Sequence, residues 1–165
     1  MDKYYYFVAQ LPLLFFDKEP LLKIDDFLEE GEKWLSQSDF AILIKVDIND
    51  ITICKNDPIV LKDYKKSEKL LRIDIMEWRK AKKINQEYKT ISFPVSIIKD
   101  GNPLQIEENL MLLRWNFIEE IESDHHFDLD FIVLYYLKLQ VLKRLKSFDK
   151  EKGLEKFKQF TEIGV

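Results

Sequence analysis

Between Pro58 and Pro94, and again between Pro103 and Gly153, the chain carries neither glycine nor proline. Runs of that length without a turn-former cannot be cut into the short strands of a sandwich or barrel, and helix is the element that fills them. Hydrophobic residues at 46% and charged residues at 34% supply enough apolar surface for a core. The expectation is a mainly α fold, a compact multi-helix bundle with a short irregular or extended N-terminal segment. One helical domain spans 1–165, with a hinge at 90–103, where Pro94, Gly101 and Pro103 fall.

The periodicity places the helices. Ile106, Leu110, Leu113, Phe117 and Ile121 form one stripe, the strongest helical signal, over 104–122. Residues 127–147 are apolar on several faces, as in the central helix of a bundle. A last helix over 149–162 is expected to bury Leu154, Phe157 and Phe160 or Thr161. Leu71, Ile75 and Trp78 recur at i, i+4, i+7 within a long helix at 61–86. Ile24, Phe27, Leu28 and Leu35 share a face over 24–35, with Gly31 on the same stripe. Ser36 or Ser38 caps the next helix, which holds Phe40, Leu43 and Ile44 and ends near Asn49. Residues 51–60 read as irregular. Residues 3–11 read as a strand or a short helix, and their aromatic content favours the strand.

Catalytic motifs are missing. No glycine-rich phosphate loop and no G-x-S-x-G occurs. Cys54 is the single cysteine, which excludes an internal disulfide and fits a reducing compartment; it reads as a small apolar residue, not a nucleophile. His125 and His126, flanked by Glu122, Asp124, Asp128 and Asp130, contain metal-ligand types. Adjacent histidines on a helix point about 100° apart, however, and do not clamp one ion as an i, i+4 pair does. The expectation is therefore no catalytic, cofactor or metal site, and no enzyme. The apolar stretch Tyr4–Phe16 lacks the flanks of a signal peptide, and no run approaches the ~20 residues that span a bilayer. The expected location is cytoplasmic, without direct membrane insertion.

Charge is arranged in blocks of alternating sign. Residues 17–50 carry ten acids and four bases, and residues 62–89 ten bases and five acids. Residues 104–131 carry eight acids and one base, and residues 132–165 eight bases and four acids. Such blocks neutralise one another across a bundle or form docking faces. Nucleic acid is the alternative partner of the basic helix, with Tyr64, Trp78 and Tyr88 as stacking residues. The sequence pI near 5.4 and the interspersed acids rank it below protein. The candidate protein-interaction residues are Tyr4, Tyr5, Tyr6 and Pro12 at the N-terminus, and Lys65, Lys69, Arg72, Arg79 and Lys83 on the basic helix. Three tyrosines in succession cannot all face inward.

The opening Tyr4-Tyr-Tyr-Phe-Val-Ala-Gln-Leu-Pro12-Leu-Leu-Phe-Phe resembles the N-terminal signature of an uncharacterised bacterial family whose genes lie among those for V-type (A/V-type) ATPase subunits. Phe27-Leu28, Leu35-Ser-Gln-Ser-Asp39, Leu71-Arg72, Trp78 to Ala81 and Phe148-Asp-Lys-Glu-Lys-Gly153 are similar to its later segments. That family looks like a shortened relative of the ATPase C (d) subunit, an all-helical socket between central stalk and membrane rotor. The resemblance implies a non-catalytic adapter, accessory or assembly factor whose partners are V-type ATPase stalk or rotor subunits, placing it at the inner membrane periphery through the ATPase. It implies no cofactor.

Overall fold

A computed structural model describes the backbone of residues 3–163, with side chains except at 149–152, 155–156 and 162–163. The described residues form helices and connections, with no strand among them. The order is α1 (Tyr5–Gln10), α2 (Ile24–Trp34), α3 (Gln37–Leu43), α4 (Ile59–Lys83), α5 (Ser96–Lys99), α6 (Pro103–Glu122) and α7 (Leu129–Ile163).

α7 is the axis of the bundle: α2, α3, α4 and α6 all pack on it, while α1 packs on α2 and α5 on α6. From Ile132 to Leu139 every residue of α7 is buried, because neighbours surround it on all sides. One charge lies in that stretch. Lys138 sets its ammonium 2.8 Å from Glu122 and 3.6 Å from Glu119, and 5.0 Å above the Trp115 ring. α6 begins with Asn102, whose carboxamide oxygen accepts the Gln105 N–H at 2.8 Å, followed by Pro103 in the first turn. Its most buried face is Leu110, Met111, Trp115 and Ile118. The stripe read from the sequence lies to one side of it, and Ile106, Leu113, Phe117 and Ile121 are half-buried.

A second, smaller core of Leu71, Phe93, Ile98 and Leu110 closes the far end of the α4 and α6 pair. The 90–103 connection supplies two of those four residues, and α5 forms within it. The Asp74 carboxylate accepts the N–H groups of Ile91 and Ser92, both at 2.8 Å, and the Tyr88 hydroxyl at 2.9 Å.

Four sequence expectations are corrected. Residues 5–10 are a helix and not a strand: Tyr4, Phe7 and Val8 are buried at i, i+3, i+4 while Tyr5 and Tyr6 face out, a period that a strand cannot produce. α3 is capped by Ser36 as expected but stops at Leu43. There the Gln140 side chain takes over the next stretch of backbone, accepting the Ile48 N–H at 2.9 Å and donating to the Val46 carbonyl at 2.8 Å. The separate last helix does not exist. α7 continues unbroken to Ile163, because the Asp, Lys and Glu residues around 149–152 are adequate helix formers and no turn residue precedes Gly153. Its far end is not buried, since Leu154, Phe157 and Phe160 are exposed, Phe160 by 77%. Cys54, read as a small apolar residue, is exposed in the loop before α4.

Candidate docking surface

The N-terminal candidates divide by helix geometry. Tyr4 is buried; its N–H donates to the Phe127 carbonyl at 3.0 Å and its hydroxyl to the Asp39 carboxylate. Pro12 is half-buried, and its carbonyl accepts the Tyr135 hydroxyl at 2.7 Å. These two residues fasten the segment to the core. Tyr5 and Tyr6 point outward, with Tyr6 71% exposed. Tyr6 stacks on Trp34 at the end of α2, with centroids 6.5 Å apart, and Tyr5 leans on Phe127 at 4.6 Å. An exposed aromatic patch of Tyr5, Tyr6 and Trp34 results. Sequence reasoning did not single out Trp34. It follows Phe27 by seven residues on the edge of the α2 stripe, a spacing that predicts packing and not display.

The basic helix also divides. Lys65 is 3% exposed, and its ammonium is held by Asp57 at 2.8 Å, Asp50 at 3.3 Å and the Thr52 carbonyl at 2.7 Å. Burial pulls its pKa down, but the two carboxylates prevail and hold it above the usual lysine value. Arg72 donates to Glu68 at 3.0 Å and to the Asn49 carbonyl at 2.6 Å. Glu68, 2% exposed, is also gripped by two nitrogens of Arg114 of α6, each at 2.8 Å. Tyr4 and Lys65 are therefore removed from the set of surface residues, and Arg72 is largely engaged. Lys69, Arg79 and Lys83 are exposed.

The aromatic residues that a nucleic-acid site needs are engaged elsewhere. Tyr64 is buried and donates to the Ile48 carbonyl at 3.0 Å, and burial pushes its phenol up in pKa. Tyr88 is bonded to Asp74, and Lys82 lies 5.0 Å above the Trp78 ring.

Beyond the docking candidates, His125 comes together with Asp128 and Asp130. One ligand-type atom from each lies within 4.8 Å of the others. The His125 Nδ1 is 2.9 Å from Asp128 and 3.6 Å from Asp130. Asp128 already caps α7 by accepting the Phe131 N–H at 2.8 Å. Burial opposes ionisation at Asp128, but the bonds from His125 and Phe131 hold its carboxyl below the usual value. Burial and the Asp128 charge push Asp130 up. The arrangement orders the α6–α7 turn; three ligands there could take a divalent cation only by drawing on the cap. An open groove of about 920 Å³ runs between α4 and α6, with Leu70, Ile91 and Phe117 among its apolar walls and Lys66, Glu120 and Asp124 on its rim.

No helix among the described residues is long and apolar enough to cross a membrane. Residues 83–163, the end of α4 through α7, match the family described as Protein of unknown function (DUF2764). No curated protein and no solved structure matches the chain.

Proposed function

We propose that the chain is a non-catalytic component, or an accessory or assembly factor, of a bacterial V-type ATPase, docking on stalk or rotor subunits from the cytoplasmic side. The observation that carries the reading is the aromatic patch of Tyr5, Tyr6 and Trp34. It is built largely by the N-terminal segment whose sequence resembles the ATPase-associated family, outside residues 83–163, which match the family of unknown function. Tyr and Trp are the residue types that most often dominate binding energy at protein interfaces, because they offer large apolar area at little entropic cost. Tyr4 and Pro12 hold that segment on the core, so the patch is presented on a fixed base, which lowers the entropy lost on binding.

Affinity purification from the native host after mild detergent extraction tests the proposal. Stalk and rotor subunits are expected in fixed ratio with the chain for an adapter of the C (d) type, and in substoichiometric amount for an assembly factor. The double variant Tyr6→Ala, Trp34→Ala is expected to lower their recovery by roughly tenfold or more. Recovery of no ATPase subunit with the wild-type chain refutes the proposal.

A further inference from the structure

The outward face of α4 carries a pattern that the fold does not use. α4 packs on α6 and α7 through Val60, Leu61, Tyr64, Glu68 and Leu71. At 100° per residue, the opposite face bears Ile59, Leu70, Ile73, Met76 and, just past the helix, Ile84. All five are exposed, Ile59 by 73% and Leu70 by 60%. Scattered exposed apolar residues are ordinary, but these fall within one sector about 120° wide, over ~37 Å of helix length. Lysines interleave with them: Lys66, Lys69 and Lys80 lie within about 40° of Ile73 on the same wheel. Among the described residues nothing pairs with Lys66 or Lys69, and Lys80 has a single partner, Glu77 at 3.6 Å. Glu120 and Asp124 of the neighbouring groove come from the α6 side, and the ridge itself carries one acid, Glu77, against Lys66, Lys69 and Lys80, so its net charge is positive.

We infer that this ridge is a second docking face, whose occupant is an acidic amphipathic helix of a partner protein. Leu70 with Ile73, and Ile73 with Met76, are i, i+3 neighbours of the kind that meet a facing helix, and lysines beside them select carboxylates on it. A nucleic acid would meet five large apolar side chains that no phosphate rewards. A bilayer favours a face with aromatic and aliphatic residues on one side and lysines on the other, whereas here both share one sector. The inference rests on the reading of the chain as a docking protein, but not on the ATPase as its partner.

The test uses the full chain and a labelled helical peptide of about 21 residues, with Leu at heptad positions a and d and Glu at e and g. A peptide with Lys at e and g and vesicles of phosphatidylglycerol and phosphatidylcholine serve as alternatives. The wild-type chain is expected to bind the Glu peptide, more weakly as salt rises, and to prefer it to the Lys peptide. Lys66→Glu, Lys69→Glu, Lys80→Glu together are expected to weaken that binding by at least about tenfold and to reverse the preference. Ile73→Ser is expected to weaken binding of both peptides. All four positions are exposed, so unchanged thermal melting accompanies these effects. Binding indifferent to the variants, absence of binding, or capture by vesicles alone overturns the inference. The ATPase reading is separated by co-purification. If the Lys→Glu variant loses the Glu peptide but still recovers stalk and rotor subunits as well as wild type, both readings stand and the ridge serves a partner other than the ATPase. If the peptide behaves as described and no ATPase subunit is recovered, the ridge stands and the ATPase reading falls.

Discussion

The two longest helices solve opposite problems. α7 is buried on every side from Ile132 to Leu139, keeps one buried side as far as Phe148, and then exposes Leu154, Phe157 and Phe160. α4 buries Lys65, Glu68 and Asp74 among its apolar contacts and turns Ile59, Leu70, Ile73 and Met76 outward. The difference follows from what each touches. α7 meets mainly other helices, whose backbone groups are already paired, and serves the irregular chain with the neutral side chains of Gln140 and Tyr135. α4 meets the irregular chain on either side of it, residues 47–57 and 88–93, whose backbone groups need partners. Lys65, Asp74, Arg72 and the Tyr64 hydroxyl on α4 supply those partners, and its apolar surplus is left facing away.

The largest effect that would break this comparison lies at Glu68. Glu68→Ala leaves the Arg114 guanidinium buried without its bidentate acceptor and is expected to lower stability by ~3–5 kcal/mol in urea unfolding. A loss below 1 kcal/mol would show that α4's inward charges are dispensable. Next comes Asp74→Ala, which strips acceptors from two backbone N–H groups and is expected to cost ~1–3 kcal/mol. The pH dependence has a definite sign. Burial opposes ionisation at Asp74, but the N–H groups of Ser92 and Ile91 and the Tyr88 hydroxyl prevail and hold its carboxyl below its usual value. Its contribution is therefore complete above the unfolded pKa of roughly 4 and is lost as pH falls through the folded value. Wild type and Asp74→Ala should converge in urea midpoint as pH drops below about 4.

On α7 the comparison sharpens at Gly153. A Cβ added there meets nothing within 4 Å, so Gly153→Ala should raise helix content and stabilise the far end by up to ~1 kcal/mol, read as slower amide exchange over 150–160. The smallest effect belongs to the outward ridge. Ile73→Ser is expected to change unfolding free energy by less than ~0.5 kcal/mol, because that side chain is exposed and belongs to neither buried core.

The helices were legible because length and periodicity speak directly of helix. What sits on each face was less so. In α6 two apolar faces adjoin, and periodicity alone does not say whether Phe117 or Trp115 is the deeper residue. Leu154, Phe157 and Phe160 have core spacing, yet no element among the described residues covers them, a property of the whole bundle and not of the segment. Lys65 looked like surface because its acceptors, Asp50, Asp57 and the Thr52 carbonyl, come from a loop with no regular pattern. Of the candidate site, Tyr5 and Tyr6 were readable from the crowding of three tyrosines. Trp34 was not, since its partner Tyr6 is distant in sequence.

The bond between Tyr4 and Phe127, and that between Tyr135 and Pro12, join residues more than a hundred positions apart. During synthesis the first three helices leave the ribosome long before α7, on which α2 and α3 pack, has been made. At about 5–20 residues per second, that interval lasts several seconds or more, and the aromatic N-terminus spends it uncovered. Pairings this distant also slow the final step, since the intervening chain must be gathered first. The segment that ends as the exposed aromatic patch is thus the one most in need of shelter at birth.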